Sequence, residues 1–186
     1  MSDQYPSQNP YGQQPEPGHT PQYGAPAPTG PGGEPPLWAP WYGISFGNAV
    51  RRFFKKYARF DGRASRSEFW WWALANAIVY IVLGILLGIG IATSDRTTVS
   101  TGYSVSTVID RPSALYIIAA ILFAIWGLAV LVPGIALYWR RLHDANLAGP
   151  FWFLGFVPGV GGIILLVFSL LPPKPEGQRF DQPGRG

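Results

Sequence analysis

Apolar residues run almost unbroken through three blocks, residues 69–92, 114–139 and 150–171, with polar segments between them. About twenty consecutive apolar residues carry a helix across a bilayer, so each block predicts a membrane span. In the first, FWWWALANAIVYIVLGILLGIGIA, Asn76 is the only amide or charged side chain, and Gly84-x-x-x-Gly88 offers a small-residue face for close helix packing. Pro133 and Gly134 predict a kink in the second. The third, PFWFLGFVPGVGGIILLVFSLL, opens on a proline suited to a first helical turn. A break at PGVGG would make this block a re-entrant hairpin, but each half is too short to span, and non-helical backbone at membrane depth needs burial in protein. Three spans are therefore expected.

The polar segments predict the rest. Residues 44–61 contain ISFGNAVRRFFKKYARF, which at 100° per residue places Ala49, Val50, Phe53, Phe54, Tyr57 and Phe60 on one face. Arg51, Arg52, Lys55, Lys56 and Arg59 fall on the other. A basic face backed by aromatics predicts an interfacial helix lying on anionic lipid headgroups, and Gly62 suits its end. Ser65-Arg66-Ser67-Glu68 matches the capping box S-x-x-E, with Ser65 capping the first span. Trp70, Trp71 and Trp72 follow where water gives way to hydrocarbon, the usual place of aromatic membrane anchors. Residues 93–113 hold ten Ser or Thr and predict an extracytoplasmic loop with room for a hairpin at Thr101-Gly102. Residues 140–149, RRLHDANLAG, read as a cytoplasmic loop, and residues 172–186 as an irregular C-terminal tail.

Residues 1–43 differ in kind. The first forty hold eleven prolines and six glycines and neither Lys nor Arg, a composition that predicts a disordered Pro/Gly/Gln-rich tail. Such a tail offers a docking segment for a protein partner. It lacks the basic and apolar regions of a signal peptide, so insertion is expected to use the internal spans. Of the fourteen Lys and Arg, seven lie between Arg51 and Arg66. Basic residues mark the cytoplasmic side, which predicts a cytoplasmic N-terminus and leaves the side of the C-terminus open. The apolar blocks assign the basic cluster to the membrane surface rather than to nucleic acid. There is no cysteine, which removes disulfides, thiolate metal sites and Cys nucleophiles.

Three blocks resemble a bacterial family of small inner-membrane proteins known as domain of unknown function 805. They are F-x-G-R-A-S-R-S-E-F-W-W at Phe60–Trp71, R-R-L-H-D at Arg140–Asp144 with Phe151-Trp152 and Pro158-Gly159 beyond it, and P-x-G-x-x-F at Pro175–Phe180. The resemblance covers residues 46–181. Gln178 and Asp181 depart from the Asn and Gly usual in the family. Membership implies a polytopic membrane protein and no established activity.

Candidate chemistry centres on Arg140, Arg141, His143 and Asp144. Paired arginines grip phosphate or carboxylate, and His with Asp relays protons. Arg63, Arg66 and Glu68 are expected at the same face, where a small Arg/Glu/Asp/His network would form. These seven residues are the expected headgroup or partner contacts. No catalytic or cofactor-binding residue is assigned. His19 lies far from His143 in the chain, so no metal set of three or four ligands is assembled. The expected protein is all-α and integral to the bacterial inner membrane, with a non-enzymatic interaction or structural role and room for a homo-oligomer. The alternatives are a small transporter or lipid-handling subunit working through Arg140, Arg141 and His143, and an enzyme acting on headgroups there.

Overall fold

The structure, a computed structural model, describes residue 30 and residues 33–182. The expected disorder of residues 1–43 therefore lies outside the described residues for positions 1–29, 31 and 32. Among the described residues, four α-helices appear in chain order: α1 (Phe46–Lys55), α2 (Arg66–Ala92), α3 (Ala114–Asp144) and α4 (Gly161–Leu170). A hairpin of β1 (Asp95–Ser100) and β2 (Val105–Arg111) joins α2 to α3, and 3-10 turns occupy Gly149–Phe156 and Pro175–Phe180. At 1.5 Å per residue, α2 and α3 are each about 40 Å or more in length, and both are apolar enough to cross a membrane. They pack against each other and leave most of their outer surface exposed.

Local chemistry sets the ends of these helices. Ser65 caps α2 through a complete capping box: its Oγ accepts from Glu68 N at 3.1 Å, and Glu68 Oε2 accepts from Ser65 N at 2.9 Å. Ser113 caps α3 by accepting from Tyr116 N. The same hydroxyl donates to Gly90 O, and Ser113 N donates to Ser94 Oγ, so α2 and α3 are sewn together at the hairpin end. A Cβ at Gly90 would meet the Tyr116 backbone at 2.5 Å, so only glycine allows this approach. Midway along the pair, Trp126 Nε1 donates to Asn76 Oδ1 at 3.0 Å, giving the one amide of the first apolar block a partner. The hairpin itself is exposed on both strands.

The structure corrects four sequence expectations. Residues 140–144 are not a loop: α3 runs through Pro133 without a break and ends only at Asp144. Residues 150–171 are not one helix. They form the 3-10 turn Gly149–Phe156, a bend at Pro158-Gly159, and the ten-residue α4. A helix of that length rises about 15 Å, half a hydrocarbon core. Both ends of the segment meet the same end of α3: Gly149 lies against the Trp139 ring, and Leu171 O accepts from Arg141 Nη2 and from Arg66 Nε. Residues 33–43 belong to the fold, with Ala39 buried. Gly62 does not end α1, which stops at Lys55; its φ of 77° and its close approach to Trp38 O place it in a later turn.

Candidate functional site

The polar residues singled out in the sequence gather at the end of the α2–α3 pair opposite the hairpin. Two ionic groups share that end. The first is centred on Glu68, which is buried in the first turn of α2. Its Oε1 accepts from Arg52 Nε at 2.7 Å and Lys56 Nζ at 3.2 Å; its Oε2 accepts from Ser65 N and Trp41 N. Arg52 donates onward from Nη1 to Glu34 and Pro35 O, and from Nη2 to Pro36 O and Ala39 O. One guanidinium therefore holds residues 34–39 as a strap across α1. Arg140, 1% exposed, lies beside this group with its Nε donating to Ala136 O one turn back.

The second group is centred on Asp144, fully buried at the end of α3. Its Oδ2 pairs with Arg141 Nη1 at 2.8 Å, and its Oδ1 accepts from Tyr42 OH at 2.8 Å and lies 3.8 Å from Arg63 Nη1. Arg141 also donates from Nε to Ser169 O and from Nη2 to Leu171 O, so it anchors the return of α4. Arg63 forms a forked pair with Asp181 through Nε and Nη2. His143 Nδ1 lies 3.0 Å from Gly62 O, and its ring stacks on Phe180 at 3.9 Å. Lys174 N donates to Asp144 O, and Gly62 N donates to Phe180 O, so residues 174–181 close over the end of α3.

Electrostatics follow from this burial. Burial pushes the Lys56 ammonium down to about 7, against the attraction of Glu68 and with the help of Arg140 and Arg52. Burial and the neighbouring Asp144 push the Tyr42 phenol well above its ordinary range. Burial raises the Asp181 carboxyl although Arg63 opposes the shift.

Arg63, Glu68, Arg140, Arg141, His143 and Asp144 are all buried, so none presents an open charged surface. Arg63, Arg141 and Asp144 meet directly, whereas Glu68 belongs to the other cluster. Arg66 is exposed and reaches Leu171 O. Trp70 and Trp71 are each 39% exposed. Trp72 is not: it lies in the core, stacked on Phe53 at 3.4 Å and facing Trp126. The basic face of α1 is likewise divided. Arg51 and Lys55 stay exposed, but Arg52 and Lys56 are buried on Glu68. The sequence reading missed Arg52, Lys56, Glu34, Tyr42 and Asp181 as members of this end. The i, i+4 spacing of Arg52 and Lys56, which sets both on one helix face, is the signal that a single carboxylate could serve both.

Among the described residues, no group of three His, Cys, Asp or Glu side chains could hold a metal ion. The family described as "Protein of unknown function (DUF805)" matches residues 57–182. Inner membrane protein YhaI of Escherichia coli (strain K12) is 34% identical over 115 residues, 61% of this chain and 75% of YhaI. Inner membrane protein YhaH of the same strain is 31% identical over 129 residues, 69% of this chain and 89% of YhaH. No solved structure matches.

Proposed function

The chain belongs to the DUF805 family, and on that premise we propose that it is a multi-pass bacterial inner-membrane protein with a non-enzymatic interaction or structural role. In this reading α2 and α3 cross the bilayer, the hairpin faces outward, and the segment from Gly149 to Leu171 enters the membrane and returns. The N- and C-termini then share the cytoplasmic side. The names of the relatives YhaI and YhaH support the inner membrane. The observation that carries the role is the mutual pairing of Glu68 with Arg52 and of Asp144 with Arg141 at the ionic end. Glu68, Arg52, Arg141 and Asp144 hold the strap, α1, α2, α3 and the C-terminal turn to one another. Groups bound in this way build a platform rather than work on a substrate.

Contact with lipid and partners then falls to what remains exposed. Arg51 and Lys55 on α1, with Phe46, Phe54 and Tyr57 beside them, supply the charge and aromatic area of an interfacial helix. Residues 1–29, ahead of the strap, supply the partner-docking segment. The test is purification of the full chain in a lipid-retaining polymer, with mass spectrometry of co-purifying proteins and lipids. A protein that co-purifies with the wild type, and is lost when residues 1–29 are deleted, supports the interaction role. An enriched anionic lipid lost in Arg51→Gln/Lys55→Gln, with no protein partner, moves the assignment to lipid handling.

A further inference from the structure

Asn76 and Tyr80 flank the midpoint of α2, one turn apart, and each carries a polar group that the fold leaves unmatched. The Trp126 indole is only a donor, so its 3.0 Å bond fixes Asn76 Oδ1 as the end of the amide that faces it. Asn76 Nδ2 then has two N–H groups that reach no acceptor among the described residues, and Oδ1 keeps one lone pair. The Tyr80 hydroxyl, beside Phe123 and Gly127 of α3, likewise bonds nothing among the described residues. Both residues are half-buried rather than sealed between the two helices. With α2 across the bilayer, as proposed above, these groups stand about 15 Å or more from either helix end. Lipid tails offer no acceptor at that depth, and an amide N–H without one is costly there.

We propose that a second copy of this chain covers this face, and that the two Asn76 amides bond each other across a two-fold axis in mid-membrane. The chemistry of the amide sets the occupant. A carboxamide is its own complement: a free N–H can donate to the spare lone pair of the partner's Asn76, or to the partner's Tyr80 hydroxyl. A two-fold axis brings identical groups together, so no foreign side chain is needed. The surface around Asn76 also admits a close neighbour. At 3.6 residues per turn, Asn76, Tyr80, Ala73, Gly84 and Ala77 share an arc of roughly 100°. It lies beside the face that Trp72 and Leu83 turn into the core. Ala77 is exposed, and nothing lies within 4 Å of where a Gly84 Cβ would stand. Small side chains let two backbones approach closely enough for the amides to meet. Small residues alone would fit many helices; the unmatched amide selects one that carries the same group at the same depth. The pairing rests on the membrane-crossing reading of α2 and gives that reading a defined partner.

The test uses the absence of cysteine from the chain. Ala77→Cys in inner-membrane vesicles, oxidised with copper phenanthroline, should form a cross-linked dimer. Ile78→Cys, exposed but outside the arc, should not. Energy transfer between full chains labelled at Gly186→Cys and diluted in liposome lipid reads the affinity. Asn76→Leu should weaken association about fivefold to thirtyfold, the effect of an interhelical amide contact in a membrane. Trp126→Phe breaks the bond within the chain but keeps the amide, so it should associate like wild type. Equal losses in the two variants would assign Asn76 to α2–α3 packing and overturn the proposal. Impermeant labels on Tyr103→Cys and Ser2→Cys separate the pairing from the crossing of α2. If the two label from opposite sides and Ala77→Cys gives no dimer, the pairing falls and the crossing stands. If they label from the same side, both fall.

Discussion

Arg52 Nε donates to Glu68 Oε1 at 2.7 Å, with 2% and 4% of the two side chains exposed, and this contact joins α1 to the first turn of α2. Both residues also bond the strap: Arg52 to the carbonyls of Pro35, Pro36 and Ala39, and Glu68 to Trp41 N. Removing one member of a buried pair leaves the other charge uncompensated, at a cost of about 3–5 kcal/mol. Glu68→Ala should therefore lose several degrees to tens of degrees of thermal stability in detergent, or fail to accumulate. Arg52→Lys should not restore stability, because an ammonium cannot reproduce the five-donor fork. A wild-type melting curve for Arg52→Lys would show that the fork is dispensable.

At the second cluster, the Arg63–Asp181 fork links the start of α2 to the C-terminal segment across 118 residues. Asp181→Arg should loosen residues 174–181, read as faster proteolysis near Lys174. The double exchange Arg63→Asp/Asp181→Arg should recover only part of that protection, because Arg63 Nη1 also lies 3.8 Å from Asp144. Full recovery would mean that Asp144 does not sense Arg63. Tyr42→Phe removes one hydrogen bond to the buried Asp144 and should cost about 1–3 kcal/mol in the same unfolding assay.

The long helices were readable because their chemistry is periodic and local. The capping box at Ser65 and Glu68 announces the start of α2, and the apolar blocks announce α2 and most of α3. The last turns of α3 were not readable as helix, because Arg140, Arg141, His143 and Asp144 look like solvent-seeking residues until their long-range partners are known. Leu171 for Arg141, Gly62 for His143 and Tyr42 for Asp144 lie in other elements and carry no periodic signal. The same limit applied to α1. A helical wheel separates aromatic from basic faces but cannot tell that Phe53 stacks on Trp72, or that Arg52 and Lys56 turn inward while Arg51 and Lys55 do not.

Lys56 makes stability depend on pH in a defined direction. Its ammonium is pushed from an ordinary 10.5 down to about 7 by burial, despite Glu68. Below pH 7 both folded and unfolded chains hold the proton, and the burial penalty is fully present. Between 7 and 10 the unfolded chain holds more protons than the folded one, so stability rises with pH. Above about 10.5 the rise ends, because the unfolded lysine has then lost its proton too, and the raised Tyr42 phenol, which keeps its proton in the fold while unfolded tyrosine loses it, turns stability downward. Chemical unfolding in detergent at pH 6.5, 8 and 9.5 should show this increase in wild type, and Lys56→Met should flatten it. A slope that survives in Lys56→Met would assign it to another group.

The course of the third apolar block is open to a direct test because the chain contains no cysteine, so single cysteines report their side without background. The block begins where Gly149 meets Trp139 and ends where Leu171 O meets Arg141 and Arg66, at one end of the helix pair. The hairpin tip, with Tyr103 fully exposed, stands at the other end. If α2 and α3 cross the bilayer and residues 149–171 return, Tyr103→Cys should react with an impermeant maleimide from outside intact spheroplasts. Ser2→Cys and Gly186→Cys should then react only after the inner membrane is opened. Arg141 binds Ser169 O and Leu171 O at once, so Arg141→Ala should release the return and increase labelling at Lys174→Cys in opened membranes. Labelling of Gly186→Cys from outside would instead require a third crossing and would undo the pairing of Arg63 with Asp181.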